Sequence, residues 1–169
     1  MKTFSFETAA TATAFQIAPT DTNYFAILFD SEKDGIDNIF VIEIFNRGGA
    51  TPPNEHSDAH EFFYVLHGEG IARCGDKEMP IKKGDALLLN PGNEHVVRNT
   101  GDSKLYTLTV MTPNQDFAEL IRSGISEYVV APVSMADIVA VISAIFVDPD
   151  ADPMGRSIAF VGAKGGVGS

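Results

Sequence analysis

The chain has 169 residues, is 44% hydrophobic and carries a formal net charge of −11 at pH 7. That is enough for one domain with a core of its own, or for a small domain with an appendage. Its acidity repels phosphate backbones and anionic lipid, which makes nucleic acid and membrane surfaces poor partners.

In chain order, residues 1–23 are rich in Thr and Ala and weakly patterned, fitting either an edge strand or loose chain. Residues 24–29 predict a strand, closed by a polar turn over 30–37. Residues 38–46 predict the next strand, with Phe40, Ile42 and Ile44 on one face and Ile39, Val41, Glu43 and Phe45 on the other. Arg47-Gly48-Gly49 turns the chain, and Thr51-Pro52-Pro53 is barred from a central strand because proline has no N–H for the ladder. Runs of β-formers follow at 61–66, 71–74, 78–81, 86–89, 95–98 and 104–111, separated by turns bearing Gly, Asp, Asn and Pro. Short strands at such regular spacing predict an all-β sandwich or closed barrel.

After Pro113 the pattern changes. Asn114 is placed to cap a helix reaching Ser123, with Gly124 as its stop. Residues 128–131 read as a short strand. Ser134 and Asp137 resemble a capping box ahead of a helix over 135–147, where Ile138, Val141, Ile142 and Ile145 recur at helical spacing. An acidic, proline-bearing linker at 148–153 leads to a strand at 157–161 and a glycine-rich end. The expected division is a barrel over 1–113 and a helical, α/β-like appendage over 114–169.

The single cysteine, Cys74, excludes an internal disulfide and suits a reducing compartment. Its setting before Gly75-Asp76 reads as a small residue at a turn, without the cationic cluster that would activate a thiol. Residues 1–18 do not read as a secretory leader, and no run is long enough to span a bilayer, so a cytoplasmic setting is expected.

All four histidines fall in two windows, Asn54 to Gly68 and Gly84 to Asn99. His56 and His95 with Glu61 make a borderline-hard donor set, suited to one divalent Fe, Mn, Zn, Ni or Co ion. Alternate residues of a strand share a face, so Asn54 and His56 face together. His60 directly precedes Glu61 and faces outward when Glu61 faces inward, which leaves it an alternative ligand only. Phe63 and Val65 share Glu61's face and, with Val97, are expected to line the pocket. His67 reads as a solvated turn residue. Tyr64 and Tyr106 are strand tyrosines, more often used for packing than for proton transfer, and the catalytic residues remain unassigned.

The two windows resemble the paired motifs of the cupin superfamily. The first is usually His, one residue, His, three or four residues, Glu, six residues, Gly; here it runs His56, four residues, Glu61, six residues, Gly68. In the second, Gly84, Pro91-Gly92, His95 and Asn99 fit, with Asn90 where a proline is usual. The resemblance covers about residues 24–111 and implies a jelly-roll barrel, commonly a homodimer, with one divalent metal ion. Asn54 holds the place of the usual first histidine. An amide oxygen is a weaker donor than imidazole, so the implied site has two histidines and one glutamate, with positions left for a small-molecule ligand.

The end of the chain, Phe160-Val161-Gly162-Ala163-Lys164-Gly165-Gly166-Val167-Gly168-Ser169, resembles the deviant phosphate loop of MinD/ParA-type ATPases. Residues 124–168 are similar to the junction before that loop in pilus-assembly ATPases. A glycine loop cradles phosphate when a helix follows it, so nucleotide hydrolysis by these residues alone is not expected. The functional expectation is a metal-dependent cupin enzyme, dioxygenase or isomerase, acting on a small polar organic molecule. The alternatives are a non-catalytic binding or sensing cupin and, last, a nucleotide-binding ATPase fragment.

Overall fold

In the computed structural model, which describes residues 3–8 and 14–123, each run of β-formers between residues 24 and 111 forms a strand. The elements are β1 (Ala14–Phe15), β2 (Asn23–Phe29), α1 (Ser31–Asp34), β3 (Ile39–Phe45), β4 (His60–His67), β5 (Glu69–Cys74), β6 (Lys77–Lys82), β7 (Ala86–Leu89), β8 (His95–Asn99), β9 (Leu105–Thr112) and α2 (Phe117–Ser123). The strand expected at 128–131, the helix at 135–147, and the strand and glycine-rich loop at 157–169 lie outside the described residues. So does the ATPase-like resemblance built on them.

Two antiparallel sheets make the body, one in the order β1-β2-β3-β9-β4-β7 and the other β6-β5-β8. The result is nearly all β, the jelly-roll architecture that the resemblance implies. Strand alternation decides what enters the interior. On β3, Ile39, Val41, Glu43 and Phe45 are buried; on β4, Glu61, Phe63 and Val65 are buried while His60 and Tyr64 are exposed. On β8 the inward set is His95, Val97 and Asn99. Gly68 takes φ +85° in the turn from β4 to β5, a conformation that favours glycine.

The interior is packed in two clusters. One gathers Phe45, Phe63, Val65, Leu87, Val97 and Leu105. The other joins Phe25, Ile39, Val41 and Met111 to Phe117, Ala118 and Ile121 of α2. Each such large apolar side chain contributes roughly 1.5–3 kcal/mol by leaving water, so α2 is held to the barrel by its three buried residues.

Two local expectations are corrected. The helix at 114–123 starts at Phe117, because Gln115 and Asp116 adopt φ +47° and +60° in a left-handed turn. Asn114 still serves it from outside: its Oδ1 accepts from Ala118 N at 3.0 Å, and its Nδ2 donates to Glu119 Oε2 at 2.9 Å. The turn at 30–37 contains α1, capped by Asp30, whose Oδ1 accepts from Lys33 N at 2.8 Å, and ended by Gly35 at φ +69°. Arg122 of α2 pairs with Asp30 and Glu32, tying the two short helices together.

Candidate metal centre

The segment after β3 explains how the first window reaches the barrel interior. Pro52 and Pro53 prevent a regular strand, but the flanking residues still pair with β8. Thr51 N donates to Val97 O at 2.9 Å, Asn54 N to His95 O at 3.2 Å, and His95 N to Asn54 O at 2.8 Å. Gly92 N donates to His56 O at 2.8 Å, which binds the second window's turn to the first. Asn54 therefore lies directly across from His95, and His56 follows two residues on.

Glu61 enters from β4, paired with Met111 and Leu89 on its two neighbours. Its Oε2 lies 2.7 Å from His95 Nε2 and 3.3 Å from His56 Nε2. The donor atoms of the three residues all lie within 4.8 Å of one another. Metal bonds of about 2.0–2.2 Å place neighbouring donor atoms about 3 Å apart, so this spacing fits one ion.

The contacts within the cluster are ion-pair contacts, at 2.7 and 3.3 Å, and not well-aligned hydrogen bonds. Asn54 Oδ1, His56 Nε2, Glu61 Oε2 and His95 Nε2 are all buried, and none has a hydrogen-bond partner of acceptable geometry. The short His–Glu separations are thus contacts between converging donor atoms. Meanwhile His95 Nδ1 sits 3.1 Å from Asn93 O. Donation from Nδ1 to that carbonyl leaves the Nε2 lone pair free, the usual way a metal-binding imidazole is oriented.

Charge is balanced within the cluster when no ion is there. Burial works to raise the Glu61 pKa, but His56 and His95 outweigh it and hold the carboxyl below its ordinary range. Burial works to lower the His95 pKa, but Glu61 outweighs it and raises the ring above its ordinary value.

A cavity of about 930 Å³ opens onto this cluster. Its apolar wall includes Phe25, Met111, Phe117 and Leu120, and the Phe117 ring meets His56 edge-on at 6.2 Å. Phe63, Val65 and Val97 face inward as expected, but they are fully packed in the barrel's other cluster and are not among the residues lining this cavity. His60 is exposed on the outer face of β4, away from the three donors. Asn54 and His56 both line the cavity, but so do Glu55 and Ser57, because this segment is not a strand and does not sort its side chains by alternation.

One residue was not singled out from the sequence. Glu43 is buried on β3 and also lines the cavity. Its Oε1 accepts from Asn23 Nδ2 at 2.7 Å, and its Oε2 accepts from Thr109 Oγ1 at 3.4 Å. Burial foremost, and then the charge of Glu61, push its pKa up to about 8, against the two hydrogen bonds. The available signal was a carboxylate between the inward-facing Val41 and Phe45.

Residues 41–111 match the family model of the cupin domain. Over 64 residues the chain is 34% identical to an oxalate-binding protein of Thermotoga maritima, a match covering 38% of this chain and 53% of that protein. Over 79 residues it is 29% identical to an uncharacterized protein of Methanocaldococcus jannaschii, covering 47% and 63%. The chain thus spans less than two thirds of the length of either curated relative. A crystal structure of a predicted oxalate decarboxylase from Thermotoga maritima superposes with a TM-score of 0.59 at 24% identity, over 64% of this chain and 99% of that one. Together the domain match and the shared fold support the cupin superfamily. Among the described residues, no helix is long and apolar enough to cross a membrane.

Proposed function

We propose that the chain binds one divalent metal ion through His56, Glu61 and His95, with Asn54 as a weaker fourth donor, and holds a small polar organic molecule in the cavity beside it. The observation that carries this reading is the convergence of ligand atoms from His56, Glu61 and His95 within 4.8 Å of one another, with the buried Asn54 Oδ1 left without a hydrogen bond on the residue bridged to His95. Leaving such a group unsatisfied costs about 1–3 kcal/mol, and a shared cation removes that cost. Two imidazole nitrogens and two oxygens suit Fe, Mn, Zn, Ni or Co better than Ca or Cu(I).

When bound, such an ion supplies Lewis-acid polarisation of a carbonyl or hydroxyl and, if redox-active, electron-transfer chemistry. The chain's own residues orient and enclose. The Asn93 carbonyl fixes the His95 ring, and Phe25, Met111 and Phe117 exclude water from one side of the cavity. This arrangement is compatible with a dioxygenase-like or isomerase-like cupin enzyme. A non-catalytic binding protein is the second reading, favoured by the name of the Thermotoga maritima oxalate-binding relative.

Metal analysis of the purified protein, beside His56→Ala and His95→Ala, tests the site. The expected result is a bound first-row divalent ion that both variants lose. Full retention in both overturns the assignment. Oxygen uptake with catechol, diketone and thiol substrates then separates a dioxygenase from a binder.

A further inference from the structure

The cavity's polar groups are unevenly divided. Its described lining includes the carboxylates Asp21, Glu43, Glu55, Glu61 and Asp116, and neither a lysine nor an arginine. A divalent ion on Glu61 and a proton on Glu43 would still leave Asp21, Glu55 and Asp116 without a cation in the wall. Glu55 and Asp116 are exposed and form an acidic rim; Asp21 is half-buried just inside.

Deeper in, the donors are already used. Asn23 Nδ2 and Thr109 Oγ1 both donate to Glu43, and Thr107 Oγ1 lies 2.9 Å from Thr109 Oγ1. What this group leaves open to a ligand is the Asn23 carbonyl oxygen. Asn23 lines the cavity at 1% exposure, and its Oδ1 has no hydrogen-bond partner. A buried carbonyl oxygen in that position is satisfied by a ligand that brings an N–H or O–H.

We propose that the cavity takes a small amine or amino alcohol in its ammonium form, with the nitrogen directed at Asn23 Oδ1 and Glu43, and that it discriminates against small carboxylates. The inference shares with the proposed function only the location of the ligand, since Asn23, Glu43 and Asp21 are not among the proposed metal donors. An acidic mouth also concentrates cations and repels anions before contact. The oxalate named for the Thermotoga maritima relative carries the opposite charge, so the inference separates this chain from that relative's ligand.

The test uses two probes of the same size and opposite charge, ethanolammonium and glycolate, with oxalate alongside. Each is titrated at low salt into isotope-labelled protein stripped of metal, with binding followed by NMR shifts of the Asn23 side-chain amide and its neighbours. Ethanolammonium is expected to shift them with a Kd at least about tenfold below that of glycolate or oxalate. Asp21→Asn is expected to weaken it several-fold, and Glu43→Gln to do so above about pH 8, where the wild-type carboxyl has lost its proton. Glycolate or oxalate binding as tightly as ethanolammonium overturns the proposal, as does an Asn23 amide that no probe moves. Because the ion is absent throughout, this outcome is independent of metal retention in the histidine variants. A repeat on metal-loaded protein is expected to preserve the order of the two hydroxylated probes.

Discussion

The two ends of the barrel interior are built from the same strands and yet have opposite chemistry. On β4, Glu61 faces the cavity while Phe63 and Val65, two and four residues further along the same face, are packed against Phe45, Val97 and Leu105. On β8, His95 belongs to the donor cluster, and Val97 on the same face belongs to the packed end. The inward face thus changes from dry core to polar site within a single two-residue step. The packed end holds β4 and β8 at fixed separation, so that the donors at the other end converge without a dedicated scaffold. Interiors packed at near-crystal density transmit shape in this way.

The largest effect expected from separating the two ends is on stability. Phe63→Ala should cost about 3–5 kcal/mol, as truncation of a buried aromatic usually does. If the ends are distinct, the folded fraction of this variant should still retain metal, which denaturant titration with parallel metal analysis can establish. At the other end, Glu61→Gln should do the reverse. Metal affinity should fall by more than the roughly 10–100-fold typical of changes outside the ligand set, measured by competition with a chelator. Its unfolding midpoint in the metal-stripped protein should fall by less than that of Phe63→Ala, because the substitution keeps the side chain's size and removes only the charge that balances His95.

The strands and their inward faces were the more legible in the sequence, and the reason is physical. Period-two alternation needs only local information, so β3, β4 and β8 and their inward faces could be read directly. The grouping of His56, Glu61 and His95 was legible too, because turns and glycines set their spacing. Which inward residues fill the barrel and which line the cavity depends on where α2 and the 50–56 segment lie. For that reason Phe63, Val65 and Val97 were expected at the pocket and are found in the core. Glu43 was placed on the right face, but its partners Asn23 and Thr109 are 20 and 66 residues away in the chain. No local pattern reveals that network. The start of α2 was misread because Asn114 has the chemistry of a cap, while the left-handed turn at Gln115 and Asp116 delays the helix.

Glu43 gives the comparison a pH dependence. In the folded, metal-free protein its carboxyl keeps its proton up to about pH 8, whereas the ordinary value is 4.5. Between those values the folded state holds a proton that the unfolded chain releases, so stability falls as pH rises. The slope for one such group is about 1.4 kcal/mol per pH unit. Glu43→Gln has no such proton to lose, and its stability should lack this slope. Urea unfolding of the stripped protein at pH 5.5, 6.5 and 7.5, with and without the substitution, measures it. Parallel curves for the two proteins would show that Glu43 is already ionised at the low end of that range.

The smallest effect concerns Asn54, where the chain departs from the usual motif. Its backbone is bridged to His95 by hydrogen bonds in both directions, so a side chain at this position is held beside the donor cluster whatever its identity. Asn54→Ala removes only a weak amide donor and should lower metal affinity by less than about tenfold, or 1.4 kcal/mol. Asn54→His offers an imidazole where an amide stood. If Asn54 occupies a ligand position, that substitution should tighten binding, with the gain largest for Zn and Ni because they favour imidazole nitrogen. Chelator competition on the two variants side by side separates the cases. Opposite shifts from the wild type assign Asn54 to the ion, whereas no shift in either confines the donors to His56, Glu61 and His95 and leaves the Asn54 amide facing the ligand.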